Sequence, residues 1–183
     1  MKLSKKILIL FHSIYWKLYS KVKRGDIEIK FLQNLSINTD VKILDKGVIS
    51  IGEMCESRRG LNILSFEEGK IFIGEGCFFN TNCSISSCNL VSIGNNVSIG
   101  NNVVIVDHDH DFKKIGNTPF ISTEVIIEDD VWIGANSVIL RGSVIGKGSV
   151  IAAGTVVKGK IQSNSIYVEK KEYLEKKIKE KGM

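Results

Sequence analysis

Aliphatic residues recur at every sixth position in the C-terminal half of the chain. The series is unbroken through Ile127, Ile133, Ile139, Ile145, Ile151 and Val157. Small or β-branched residues lie four positions after each of the first five members, at Val131, Ser137, Ser143, Ser149 and Thr155. A period of six fits neither a helix nor an alternating strand alone, but it fits a strand of about four residues and a two-residue corner. Three such units would close one triangular coil, so the pattern predicts a solenoid.

Shorter pieces of the same pattern appear earlier, in Ile73-Gly74, Ile93-Gly94-Asn95-Asn96-Val97 and Ile99-Gly100-Asn101-Asn102-Val103. We expect a parallel β-helix in which the aliphatics form ladders inside, because stacking buries what one coil cannot bury alone. Gly and Asn after each aliphatic tolerate positive φ and suit the corners. Residues 26–70 are expected to form irregular coils, with 48–52 the first clear rung.

Two irregularities interrupt the repeat. Ile85 and Ile93 are eight residues apart, which indicates two extra residues at a corner around 87–90. Ile105 and Ile127 are 22 residues apart. That interval begins with Asp107-His108-Asp109-His110-Asp111 and predicts an extruded loop over residues 106–126. Loops on a rigid scaffold are where function concentrates, so this segment is the first candidate for a site.

Two of the three histidines of the chain, His108 and His110, lie in this loop. Histidine suits the role of general base toward an alcohol because its ordinary pKa lies near neutrality. A neighbouring carboxylate would hold the ring in the productive tautomer and stabilise the imidazolium. The candidates for that carboxylate are Asp107, Asp109, Asp111 and Glu124. The alternative interpretation is a solvated polar loop or an adventitious metal site.

The hexads and the histidine segment together resemble the bacterial hexapeptide-repeat acyltransferases, in particular the sugar O-acetyltransferases of galactosides, maltose, capsule and O-antigen. The resemblance covers roughly residues 71–160. It implies an all-β solenoid, a left-handed parallel β-helix. It also implies acetyl-CoA as co-substrate, direct transfer to a sugar hydroxyl with His as general base, and no metal.

In that branch a catalytic His follows the end of a Val-x-Ile hexad, as His110 follows 103–105. This register favours His110 over His108, which stays the alternative. The family has an acceptor-binding Asn about thirty residues earlier, and Asn80 lies 30 residues before His110. By resemblance, Asp107 and Trp132 also contact the acceptor.

The motif Val131-Trp132-Ile133-Gly134-Ala135-Asn136 is typical of the same branch, where the Trp borders the acetyl-transfer site and nearby backbone amides bind coenzyme A. The cofactor-binding residues so implied are Trp132, Ala135, Ala153, Thr155, Lys158 and Lys160. The family also implies a homotrimer, with the loop of one subunit reaching towards the next. The end of the chain departs from the family pattern, because residues 162–167 replace its usual closing segment.

The chain of 183 residues suits one solenoid domain over residues 25–161, flanked by a helix at 1–24 and a charged helix at 162–183. Residues 1–24 contain seven Lys or Arg and no acidic residue. An apolar face predicted from Leu3, Ile7, Leu10, Ile14 and Leu18 would either pack on the solenoid or contact a membrane surface. We expect a cytoplasmic protein, in contact with the inner face of the membrane if the second alternative holds. Nucleic acid is not an expected partner, because the solenoid carries no basic stripe with interleaved aromatics.

Four cysteines lack metal-binding spacing and are expected to be reduced core residues: Cys55, Cys77, Cys83 and Cys88.

Other functions stay open for the same fold. The acceptor could be an amine or another non-sugar group, as in a nucleotide amino sugar, serine or a drug. A zinc hydratase would need three histidine ligands, and a scaffold would need no chemistry at all.

Overall fold

The computed structural model describes residues 3–22, 26–111 and 120–170. One helix, α1 (Leu3–Val22), precedes a left-handed parallel β-helix, as predicted. The three long sheets of the β-helix contain seven, six and six strands, and every pair of neighbours in them is parallel. The solenoid continues through residue 167, beyond the predicted boundary at 161. The predicted charged helix lies largely outside the described residues.

Each sheet forms one face of the solenoid. The first sheet contains β1 (Asp26–Ile29), β3 (Val48–Ile51), β6 (Lys70–Ile73), β9 (Leu90–Ile93), β14 (Val125–Ile127), β17 (Val144–Ile145) and β20 (Lys160–Ile161). The second contains β4 (Glu56–Ser57), β7 (Phe78–Phe79), β10 (Ser98–Ile99), β15 (Trp132–Ile133), β18 (Val150–Ile151) and β21 (Ile166–Tyr167). The third contains β2 (Asp40–Ile43), β5 (Asn62–Ser65), β8 (Ser84–Ser87), β11 (Val104–Val106), β16 (Val138–Ile139) and β19 (Val156–Val157). A separate hairpin pairs β12 (His108–His110) with β13 (Phe120–Ser122).

The inward aliphatic ladder begins earlier than predicted. Ile29, Leu35 and Val41 are buried and six residues apart, so the coils over 26–70 share the regular ladder and are irregular only in the length of one corner. The polar Ser57 at an inward position and longer corners hide this regularity in the sequence.

All changes in coil length occur at one corner, where the chain leaves the third sheet and returns to the first. We call it the return corner. Its segments, in chain order, are residues 44–47, 66–69, 88–89, 107–124, 140–143 and 158–159. Because the other two corners keep the repeat of six, insertions at the return corner lengthen the chain without moving the ladders.

Asn and Gly have different roles at the regular corners. Asn136 has a φ of 59°, a left-handed conformation that Asn tolerates. Gly134 is required by stacking, because a Cβ there would lie 2.5 Å from the backbone nitrogen of Ala153 in the next coil.

Helix α1 covers the open end of the first coil, which has no preceding coil to supply hydrogen-bond donors. Trp16 is fully buried and its Nε1 donates to the Leu35 carbonyl (3.0 Å). The Tyr19 hydroxyl donates to the Val41 carbonyl (2.7 Å). The predicted aliphatic face is therefore not the face that packs on the solenoid; Ile7 and Leu18 are exposed. In length and apolarity together, α1 falls short of a membrane-crossing helix, and the described residues contain no other helix.

Candidate active site

The predicted loop leaves the solenoid at the return corner of the fourth coil. His108 pairs with Ser122 and His110 with Phe120 in an antiparallel hairpin. The Thr123 amide donates to the Asp107 carbonyl (2.9 Å) and closes the base of this hairpin. Directly opposed residues of a hairpin share a face, so both histidines lie on the face of Phe120 and Ser122.

Asp107 is fully buried because it stands at an inward position, two residues after the ladder residue Ile105. Serines occupy the equivalent positions in earlier coils, at Ser65 and Ser87. The Ser87 hydroxyl donates to Asp107 Oδ2 (2.6 Å).

The two-residue return corner at 88–89 supplies two more donors to the same carboxylate. The Cys88 amide donates to Asp107 Oδ1 (3.0 Å) and the Asn89 amide to Oδ2 (2.9 Å). The two irregularities of the repeat, the extra residues at 87–90 and the loop that begins at Asp107, therefore meet at the Asp107 side chain. With its oxygens so occupied and its side chain buried, Asp107 has no face for an acceptor, which differs from the predicted acceptor-binding role.

His108 is oriented by this carboxylate. Its Nδ1 lies 3.0 Å from Asp107 Oδ1. The imidazole packs edge-on against Phe66 and Phe120, with ring centroids 4.9 and 5.1 Å away. If Nδ1 carries the proton shared with Asp107, Nε2 is left as a proton acceptor, which is the geometry of a general base.

His110 lies on the same strand and is exposed. Its ring contacts Phe120 at a centroid distance of 4.8 Å. The ring nitrogens of His110 have no hydrogen-bond partner among the described residues. Asp109 lies between the two histidines in sequence, but its side chain binds Arg141 and not His110.

Arg141 ties the hairpin to the return corner of the fifth coil. Its Nε donates to Asp109 Oδ2 (2.6 Å), and its Nη1 donates to Thr123 Oγ1 (3.4 Å). The hairpin is thus held at both its base and its first strand.

Cys88 lies beside the Asp107–His108 pair. Burial, followed by the negative charge of Asp107, raises the pKa of the Cys88 thiol to about 11. A thiol that is protonated at neutral pH is a poor nucleophile. Together with Glu68, Lys70, Asn89, Leu90 and Ser122, Cys88 lines a cavity of ≈ 440 Å³.

Cys88, Asp107 and His108 are also the one group among the described residues with potential metal ligands, all within 4.8 Å. Both Asp107 oxygens already accept hydrogen bonds. A metal would have to displace some of these donors, so the geometry favours the hydrogen-bonded pair.

The predicted acceptor and cofactor residues lie largely at another corner, between the second and third sheets. Asn80, Ala135 and Ala153 occupy this corner in the third, fifth and sixth coils. The Asn80 side-chain oxygen accepts a hydrogen bond from the Thr81 amide (2.9 Å). Trp132 is 56% exposed on the second sheet, so the structure places it and Asn80 away from the return corner with its histidines.

The remaining predicted cofactor residues, Lys158, Lys160 and Thr155, do not share an accessible surface with Trp132, Ala135 and Ala153. Lys158 and Lys160 are exposed at the return corner and the start of β20. Thr155 is buried at an inward position, so its side chain is not available to a coenzyme.

Sequence reasoning missed Ser87, Phe66, Phe120 and Arg141. The eight-residue interval after Ile85 was the available signal for the 87–89 contacts, because it marks the corner whose amides bind Asp107. No comparable signal points to the two phenylalanines or to Arg141.

Two family models match the chain. The bacterial transferase hexapeptide model (six repeats) matches residues 124–159, and the hexapeptide repeat of succinyl-transferase matches residues 70–106. WbbJ of Escherichia coli K12, named as an O-acetyl transferase of lipopolysaccharide biosynthesis, is 33% identical over 135 residues, or 68% of this chain and 69% of WbbJ.

Solved structures show the same fold. AntD, an N-acyltransferase from Bacillus cereus in complex with dTDP and 3-hydroxybutyryl-CoA, has a TM-score of 0.65 at 22% identity, covering 85% of this chain and 82% of AntD. The S84A mutant of AntD, in complex with dTDP-4-amino-4,6-dideoxyglucose and coenzyme A, has a TM-score of 0.64 at 21% identity, covering 84% of each chain.

A hexapeptide β-helix and a similarity to WbbJ that extends over two thirds of both chains define an acyltransferase. The chain belongs to the bacterial hexapeptide transferase family.

Proposed function

We propose that this protein transfers an acetyl group from acetyl-CoA to a sugar hydroxyl in the synthesis of a surface polysaccharide, in the cytoplasm. The observation that carries the proposal is the Asp107–His108 pair, which has the geometry of a general base. The name of WbbJ supports an O-acetyl acceptor, and the coenzyme complexes of AntD support a coenzyme A thioester as donor.

His108 Nε2 would take the proton of the sugar hydroxyl as its oxygen attacks the thioester carbonyl. Asp107 would stabilise the imidazolium that forms. When the tetrahedral intermediate collapses, the carbon–sulfur bond breaks and the imidazolium returns the proton to the departing thiolate of coenzyme A. The raised pKa of Cys88 supports direct transfer, because the one thiol beside the pair among the described residues is protonated at neutral pH.

A complete site would require two subunits. The histidines lie at the return corner, whereas Asn80, Trp132, Ala135 and Ala153 lie on or beside the second sheet. In a cyclic trimer the hairpin of one subunit would reach the second sheet of the next, so acceptor and coenzyme would bind between chains. The cavity beside Cys88 is polar in part and of a size that admits a sugar unit.

An amine acceptor is the second candidate, favoured by the fold shared with AntD, whose complex contains an amino sugar nucleotide. An unprotonated amine is a stronger nucleophile than a hydroxyl and depends less on a general base. Loss of His108 would therefore reduce transfer to a hydroxyl more than transfer to an amine.

The test is release of coenzyme A from acetyl-CoA with sugars, glycan repeat units and amino sugar nucleotides as acceptors. His108→Asn should lower turnover on the best hydroxyl acceptor at least about 100-fold. His110→Asn is the matched control and should lower it less than about tenfold. The reverse order would assign the base to His110, as the family register implies, and contradict the assignment to His108.

A further inference from the structure

Helix α1 has a second apolar face, opposite the one that packs on the first coil. Its members recur at helical spacing and stand in solvent: Ile7 (60% exposed), Leu10 (51%), Phe11 (58%), Ile14 (49%) and Leu18 (58%). Single exposed apolar residues are ordinary, but a continuous stripe marks a surface that contacts something else. We call these five residues the outer stripe.

The outer stripe continues onto the first coil. Phe31 and Leu32 are 40% and 42% exposed. Leu32 lines a groove of ≈ 250 Å³ with Lys6, Ile9 and Leu10. The apolar surface therefore extends beyond the helix and forms a patch at one end of the solenoid.

The charge around the stripe identifies the class of partner. The sequence of α1 contains no acidic residue, and its lysines at 6, 17 and 21 are exposed. The first 24 residues contain seven of the 25 Lys and Arg residues of the chain, whereas the chain as a whole has a net charge of only +5. A second copy of this face would bring like charges together. An anionic lipid surface offers both an apolar layer and negative charge.

We propose that α1 binds the surface of a membrane containing anionic lipids, with the outer stripe in the interfacial layer and the lysines at the headgroups. Trp16 and Tyr19 hold the opposite face of the helix on the first coil, so the solenoid would be docked through the same helix. This association is peripheral and independent of the proposed acetyl transfer.

The test uses the full-length protein in flotation with vesicles of phosphatidylcholine, alone or mixed with phosphatidylglycerol. We expect binding to the mixed vesicles that weakens as salt is raised. The double variant Phe11→Ser/Leu18→Ser should lower the partition coefficient at least about tenfold. Lys17→Gln should lower it about fivefold.

Ile166→Ser is the matched control, because Ile166 is 78% exposed at the other end of the solenoid and should not affect binding. Circular dichroism and the melting temperature should be unchanged in all variants, since each altered side chain is exposed. Absence of binding to mixed vesicles would overturn the proposal, as would equal binding by Phe11→Ser/Leu18→Ser. A lower mass in solution for that double variant, with vesicle binding unaltered, would instead assign the stripe to contact between copies of the chain.

Discussion

At the residue scale, Asp107 derives its role from its place in the coil. An inward position that holds serine in earlier coils holds a carboxylate here, and three donors from 87–89 satisfy it. A buried carboxylate is tolerated only with such partners. The same contacts that stabilise the charge also fix the oxygen that orients His108.

Asp107→Asn tests this double role. The amide NH₂ would face donors in place of an acceptor oxygen, so we expect the free energy of unfolding to fall by about 3 kcal/mol or more. Turnover should fall at least about 100-fold, because His108 loses the partner that sets its tautomer. Chemical denaturation and steady-state kinetics measure the two effects.

Asp109→Asn is the control for that change, since Asp109 is half-exposed and binds only Arg141 among the described residues. Its free energy of unfolding should change by less than about 1 kcal/mol. Wild-type stability and turnover in Asp107→Asn would show that the carboxylate neither supports the corner nor orients the base.

The thiol of Cys88 gives a prediction in pH. Its pKa is raised to about 11, so the thiolate is scarce at neutral pH and its fraction rises about tenfold per pH unit until that value is approached. Alkylation of Cys88 by iodoacetamide, followed by mass spectrometry, should therefore be slow at neutral pH and accelerate up to about pH 11. Rapid alkylation at neutral pH with no such acceleration would contradict the protonated thiol.

At the scale of elements, the β12–β13 hairpin is an insertion held in place by the coil below it. Arg141 binds Asp109 and Thr123 from the next return corner. These contacts are partly exposed and contribute little to global stability, but they fix the angle at which the histidine strand leaves the solenoid.

Arg141→Gln should therefore lower turnover about tenfold while shifting the melting temperature by only about 2 °C. The substitution would release the histidine strand from its fixed angle but leave the packing of the coil intact. Lys147→Gln is the matched control. Lys147 forms comparable surface ion pairs with Asp129 and Asp130 away from the hairpin, so turnover should not change. Equal effects of the two substitutions would argue against a positioning role for Arg141.

The ladders could be predicted from the sequence because a spacing of six is a local property of the chain. The partners of Asp107 could not, since they lie 18 to 20 residues earlier and become neighbours only through the offset between coils. The hydrophobic pattern also could not predict which face of α1 packs on the solenoid, because both faces of the helix carry apolar residues. Trp16 and Tyr19 face the solenoid because each adds a donor for an open carbonyl.

At the scale of the whole molecule, the three faces of the solenoid separate the chemistry. The return corner carries the oriented histidine, whereas Asn80, Trp132, Ala135 and Ala153 lie on or beside the second sheet. Within one chain, the stacked ladders hold these two regions at different places on the coil. The proposed function accordingly includes the proposal that a complete site forms between two subunits.

Co-expression of His108→Ala and Asn80→Ala, each expected to be inactive alone, tests this proposal most directly. In every mixed cyclic trimer one of the three interfaces would combine an intact histidine from one subunit with an intact asparagine from the next. We predict that mixed trimers, purified through two affinity tags, recover about a third of the wild-type turnover for acetyl transfer. Turnover no higher than that of the separate variants, in mixed trimers verified by two affinity tags, would contradict a site shared between subunits.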